Sequence, residues 1–145
     1  IENEIGKLWQ RFMKLAFSRK NWRLISKFIN STISYEIHIE PEEYIETRKY
    51  YVFVGFEIIE FPEIPLEMFI KILPKVEYLK FTSKARDLDS GEYYFKKWLP
   101  QSKYLQAYPY IIQAYDAQRF KSLEDKKSEI DWYIPIKQKN GSNIN

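Results

Sequence analysis

The chain has 145 residues, 45% of them hydrophobic and 30% charged, a length and balance that suit one compact soluble domain. Its 23 basic and 20 acidic residues leave a net charge of +3. With no basic cluster beyond Arg19-Lys20 and Lys126-Lys127, composition gives no electrostatic footprint of a nucleic-acid-binding protein. The absence of cysteine excludes disulfides and thiolate metal sites, and no apolar run approaches the roughly 18 residues of a membrane span.

Residues 3–17 read as an amphipathic helix, with Ile5, Leu8, Trp9, Phe12, Leu15 and Ala16 at three- and four-residue steps and Asn3 as its cap. Trp22, Leu24, Ile25 and Phe28 add a further helical turn. Residues 33–39 alternate as a strand, with Ile33, Tyr35, Ile37 and Ile39 on one face and Ser34, Glu36 and His38 on the other. The isoleucine face is expected to be core, and His38 to lie on the surface. An acidic loop follows, with Glu40, Glu42, Glu43 and Glu46.

Residues 49–60 give the strongest strand signal. Val52, Val54, Phe56 and Ile58 share one face, expected to be core, and Tyr51, Phe53, Gly55 and Glu57 share the other. Residues 66–73 read as a turn of helix and 75–83 as a strand. Residues 87–98 read as a helix capped by Asp87 or Asp89 and stopped by Pro100. Strands are predicted at 110–115 and 129–136. From about Gln138 the chain becomes polar and reads as a frayed tail. The predicted fold is α+β, with an antiparallel sheet and its helices on one face.

Six segments in this order resemble the GyrI-like family, the effector-binding domain of AraC-type and MerR-type regulators. They are Leu8-Trp9-Gln10-Arg11-Phe12, the strand Phe53 to Ile58, Leu73-Pro74 through Phe81, and Trp98-Leu99-Pro100-Gln101-Ser102-Lys103-Tyr104. Tyr115-Asp116 with Arg119-Phe120 and the closing strand Ser128 to Ile136 complete the set. The resemblance covers residues 5–137 and implies two pseudo-symmetric βαββ units with a ligand groove between them. The family opens with a strand before its first helix. Here the helix starts at once, so the first strand is apparently missing: either it lies upstream of Ile1 or the sheet is shorter, and its absence is expected to leave a sheet edge exposed. The expected organisation is an effector-binding domain over residues 1–137 and a polar tail over 138–145.

Alternation along the closing strand puts Ile130, Trp132 and Ile134 against the helices and Glu129, Asp131 and Tyr133 on the opposite face. The resemblance implies an acidic residue of this strand in the groove, a role carried first to Glu129 and then to Asp131. Tyr51, Phe53 and Gly55 are expected to line the same groove. A glycine in a strand interior lets a ligand or another backbone approach. Trp9, Tyr93 and Trp98 are read as core or groove wall. One histidine and no cysteine argue against a metal centre, and no cofactor is expected.

The expected function is binding of small amphipathic or cationic aromatic compounds, hence multidrug binding. The domain would serve as the ligand sensor of a transcription regulator or as a stand-alone drug-binding protein. DNA would be reached only through a domain outside this chain. A cytoplasmic location and no membrane association are expected. Two alternatives stay open: a hydrolase of cyclopropane-bearing toxins using Glu129 and Tyr93, and a gyrase-inhibitor-like protein-interaction module.

Overall fold

The computed structural model of the chain describes residues 2–61 and 63–140. Helix α1 (Glu2–Ala16) lays Phe12 on Phe56, with ring centroids 5.2 Å apart. It starts ahead of Asn3, which lies inside its first turn. Ser18 caps helix α2 (Arg19–Ile25) by accepting from the Asn21 amide. The buried Asn21 side chain donates to the Leu15 carbonyl at 2.9 Å and so fixes the joint between the two helices. Strand β1 (Ile29–Ile39) starts earlier than its alternation indicates, and a short helix α3 (Tyr44–Thr47) follows it. Strand β2 (Tyr51–Ile58) comes next.

No helix forms over 66–73. The segment is irregular after a single turn in which the Met68 amide donates to the Pro65 carbonyl. Apolar side chains had suggested the helix there. Pro65 and Pro74 bound the segment, Leu66 and Ile72 stay exposed, and Met68, Phe69, Ile70 and Leu73 line a cavity instead of a helix stripe.

Strand β3 (Glu77–Lys84) leads into helix α4 (Asp89–Tyr93). Leu88, not an aspartate, occupies the N-cap, and it makes no side-chain capping bond. A wide π turn over Tyr94–Trp98 then joins helix α5 (Leu99–Gln101). Pro100 therefore does not stop the helix ahead of itself: the π turn accommodates the residue that lacks an amide donor, and the helix ends one residue later.

A short strand β4 (Tyr104–Gln106), which alternation did not reveal, precedes β5 (Tyr110–Asp116) and β6 (Glu129–Gln138). Gln138 pairs with Tyr104 and the Lys139 amide donates to Lys103, so order extends past residue 137; residues 141–145 of the expected tail lie outside the described residues.

The fold is α+β. Among the described residues six antiparallel strands form one sheet in the order β2-β1-β5-β6-β3, with β4 beside β6. The pairs β1/β2 and β5/β6 meet at the β1–β5 ladder as two similar halves. Strand β3 covers the outer edge of β6. No strand among the described residues covers the corresponding edge of β2.

The halves also differ in packing. Phe81, Leu99, Ile130, Trp132, Ile134 and Ile136 form the buried core under α4 and α5, with Tyr94 stacked on Phe81 at 4.0 Å. Under α1, by contrast, Leu8, Phe12, Val54 and Phe56 are only half-buried.

Candidate ligand site

Register decides which strand residues meet. Glu36, Val54, Gln113, Trp132 and Phe81 form one cross-strand row, on the face that the helices cover. Tyr35, Gly55, Ala114, Asp131 and Thr82 form the neighbouring row, on the opposite face.

Glu129, Asp131, Tyr133, Phe53, Gly55 and Tyr51 thus share the face away from the helices, whereas Trp9, Tyr93 and Trp98 belong to the helix side. Glu129 sits at the rim and pairs with Lys84 at 2.7 Å and Arg119 at 3.5 Å. Those partners, Lys84 above all, hold its carboxyl below the usual range. Asp131 is buried, accepts two bonds from Arg119 and one from Thr82 at 2.6 Å, and lies 3.3 Å from Lys80. Burial alone would raise its carboxyl, but these donors together hold it at about 2. Both closing-strand carboxylates are therefore already matched by cations of this chain.

Tyr51 and Tyr93 are exposed, and Trp98 packs against the core of the second half. Glu129 and Tyr93 stand on opposite sides of the sheet.

A cavity of about 1200 Å³ runs along β2. Every residue from Val52 to Ile58 lines it. Successive strand residues point to opposite faces, so the cavity wraps the uncovered edge of the strand. Its helix-side lobe is bounded by Leu8, Phe12, Leu15, Val54 and Phe56; its other lobe by Tyr35, Phe53, Phe69, Tyr78 and Tyr133. A Cβ added at Gly55 would meet nothing within 4 Å, so the glycine leaves open space there. In this second lobe burial, then the neighbouring Glu57, pushes the Tyr35 phenol up to about 12.

The charged group that sequence alternation assigned to a solvated face is Glu36. It is 4% exposed. Its carboxylate accepts from the Trp9 indole at 2.5 Å and meets His38 Nε2 at 2.5 Å. His38, half-buried and not a surface residue, stacks on Tyr50 with centroids 5.4 Å apart. The Tyr115 ring lies 5.7 Å from Trp9, and burial first, then Glu36, raises its phenol far above the ordinary value. No Lys or Arg pairs with Glu36 among the described residues.

Glu36 does not itself line the cavity, but residues next to it and to its Trp9 partner do. Val54, the cross-strand partner of Glu36, lines the cavity. So does Phe12, whose ring lies 6.1 Å from Trp9. The signal that could have found Glu36 is parity: it needs to be known that even-numbered residues of β1 and β2 fall on one face.

A family model described as Cass2, integron-associated effector binding protein, matches residues 1–136. The chain belongs to the Cass2 family. Cass2 proteins form a GyrI-like effector-binding family, in agreement with the six motifs. The Cass2 match spans α1 through Ile136 of β6, so it takes in Glu36, Trp9, His38 and the whole lining of the cavity. No curated protein matches this Cass2 chain.

Proposed function

We infer that this Cass2-family domain is a small-molecule receptor whose effector is an organic cation with a flat or amphipathic body. Glu36 supplies the charge and the β2 cavity holds the body. The observation that carries this reading is a buried carboxylate, unmatched by Lys or Arg, beside an aromatic cavity. A buried carboxylate is costly unless partnered. Two hydrogen-bond donors satisfy Glu36, but a bound cation would offset its charge as well. The cavity volume of about 1200 Å³ exceeds what a drug-sized molecule needs. Trp9 and Phe12 offer ring faces on the way to Glu36, and Phe53, Gly55 and Tyr133 bound the second lobe for the rest of the ligand.

In this reading Glu36 takes the role that the resemblance gave to Glu129 and Asp131, whose charges are already matched. As an effector sensor the domain would signal by differential affinity between two states of a larger regulator. Contact with DNA would come from polypeptide outside the elements described above. As a stand-alone domain the same site would sequester cationic drugs.

The test uses a charge-inverted pair of nearly equal shape, tetraphenylphosphonium and tetraphenylborate, followed by tryptophan fluorescence. The phosphonium is expected to bind and the borate not. Glu36→Gln is expected to weaken the phosphonium by about tenfold or more, the weight of one pKa unit of charge stabilisation. Equal binding of both ions, or unchanged binding in the variant, overturns the reading.

A further inference from the structure

His38 and Glu36 lie two residues apart on the helix-covered face of β1, their side chains in contact at 2.5 Å. Neither side chain lines the cavity, so a cation reaching Glu36 from it would have to displace one of the two resident donors, the imidazole or the Trp9 indole, or come to lie beside them. Imidazole is also the one side chain whose charge ordinarily changes between pH 5 and 8. When neutral it satisfies one lone pair of the carboxylate and leaves the negative charge in place. When protonated it closes the ion pair and brings a positive charge to the place a cationic ligand would occupy.

Among the described residues the surroundings add no competing switch in that range. On β2, Val52 and Val54 stand opposite His38 and Glu36; on β5, Ile111 and Gln113 do. From α1 the facing group is the Trp9 indole, and Arg11 of that helix is exposed at the cavity. The titratable neighbours are phenols. Tyr50 stacks on His38 and is raised by burial, then by Glu36 and by Tyr44 of α3; Tyr115 of β5 is raised by burial and Glu36. Raised phenols stay neutral throughout this range.

We propose that His38 is the resident counter-group of Glu36, displaced by a cationic effector, so that the domain binds such cations tightly only when the imidazole is neutral. This rests on the reading of Glu36 as the effector carboxylate. It assigns to His38 a specificity role: the site admits a cation that outcompetes an imidazole, and effector binding releases a proton when it starts from the protonated form. By linkage, affinity falls with decreasing pH, by up to about tenfold for each pH unit below the imidazole midpoint of the free protein.

The chain has a single histidine, so its ring-proton NMR signal reports this group without assignment by mutation. Three measurements test the proposal. First, tetraphenylphosphonium affinity is followed from pH 8 to pH 5.5 in the wild type and in His38→Gln. The wild type is expected to lose about tenfold and the variant about twofold or less. A variant that keeps the wild-type slope overturns the proposal and moves the dependence to Glu36 itself.

Second, the imidazole midpoint of the wild type is compared with and without saturating phosphonium, which needs no variant to fold. The midpoint is expected to fall by about one pH unit on binding, and an unmoved midpoint overturns the proposal. Third, the free-protein midpoint is compared with that of Glu36→Gln. The two are expected to differ, and a shared midpoint overturns the coupling. Should the phosphonium not bind at any pH, the effector reading fails by itself, and the third comparison still decides whether His38 answers to Glu36.

Discussion

Glu36 and Gln113 are cross-strand partners on the ladder that joins the two halves of the sheet. Both are buried, and both face the helices. Their roles differ: Gln113 accepts from the Tyr115 hydroxyl at 2.7 Å, whereas Glu36 carries the charge and holds Trp9 of α1. The two halves thus differ electrostatically where they meet. The charge lies on the side whose core is less filled and where the β2 cavity opens. Several consequences can be measured.

Trp9→Phe keeps the ring but removes the indole donor on a buried carboxylate. A hydrogen bond to a charged group contributes roughly 1.5–3 kcal/mol, so urea unfolding of the variant should show a loss of about 2 kcal/mol. A loss under about 0.5 kcal/mol would mean that water replaces the indole freely and that Glu36 is not sealed from solvent.

Asp131 makes stability depend on acid. Its folded carboxyl, held at about 2, lies below the unfolded value of 3.8. The contribution is therefore fully present above the unfolded value and is lost as pH falls through the folded one. The difference corresponds to about 2 kcal/mol. Urea midpoints measured between pH 6 and pH 2 should decline for the wild type more than for Asp131→Asn.

Arg119 and Lys80 both reach Asp131, but not equally. Arg119 makes two bonds to it and also meets Asp116 and Glu129, while Lys80 approaches at 3.3 Å from a half-exposed position. Arg119→Met should cost about 3 kcal/mol, the range for stripping a partner from a buried charge, and Lys80→Met about 1 kcal/mol. Equal losses would contradict the assignment of Arg119 as the main counter-ion.

Two glycines should respond in opposite directions. Space is open above Gly55, so Gly55→Ala should be neutral or stabilising by roughly 0.5 kcal/mol through the unfolded chain. A Cβ at Gly91 would meet the Trp132 ring at 3.2 Å, and that ring is stacked on Phe81 in the core. Gly91→Ala gains helix propensity but must shift packed aromatics, for a net loss of about 1 kcal/mol. Chemical denaturation of the pair checks both signs.

Much of the architecture was legible because it is local. The apolar steps of α1 and the alternation of β2 and β6 state their own secondary structure, and Ile130, Trp132 and Ile134 declare the buried face of their strand. The segment over 66–73 misled because Met68, Phe69, Ile70 and Leu73 serve the β2 cavity, and not a helix stripe, while Leu66 and Ile72 stay exposed. Strand β4 was invisible because three residues hold too little pattern.

By itself the sequence determined an α+β domain of the effector-binding kind, with the order of its longer elements and the set of residues sharing a face within each long strand. It could not decide which face of β1 lies beneath α1. The isoleucines argued for Ile33, Tyr35, Ile37 and Ile39, yet the register sets Glu36 opposite Val54 and turns Glu36 and His38 toward the helix. Alternation has a period of two and no sign: it groups residues without saying which group faces inward, and a shift of one residue exchanges the groups. Only the pairing of strands distant in sequence supplies that sign. The same pairing brought Lys84, Lys80 and Thr82 alongside Glu129 and Asp131 and left Glu36, among the described residues, as the buried carboxylate without a Lys or Arg partner.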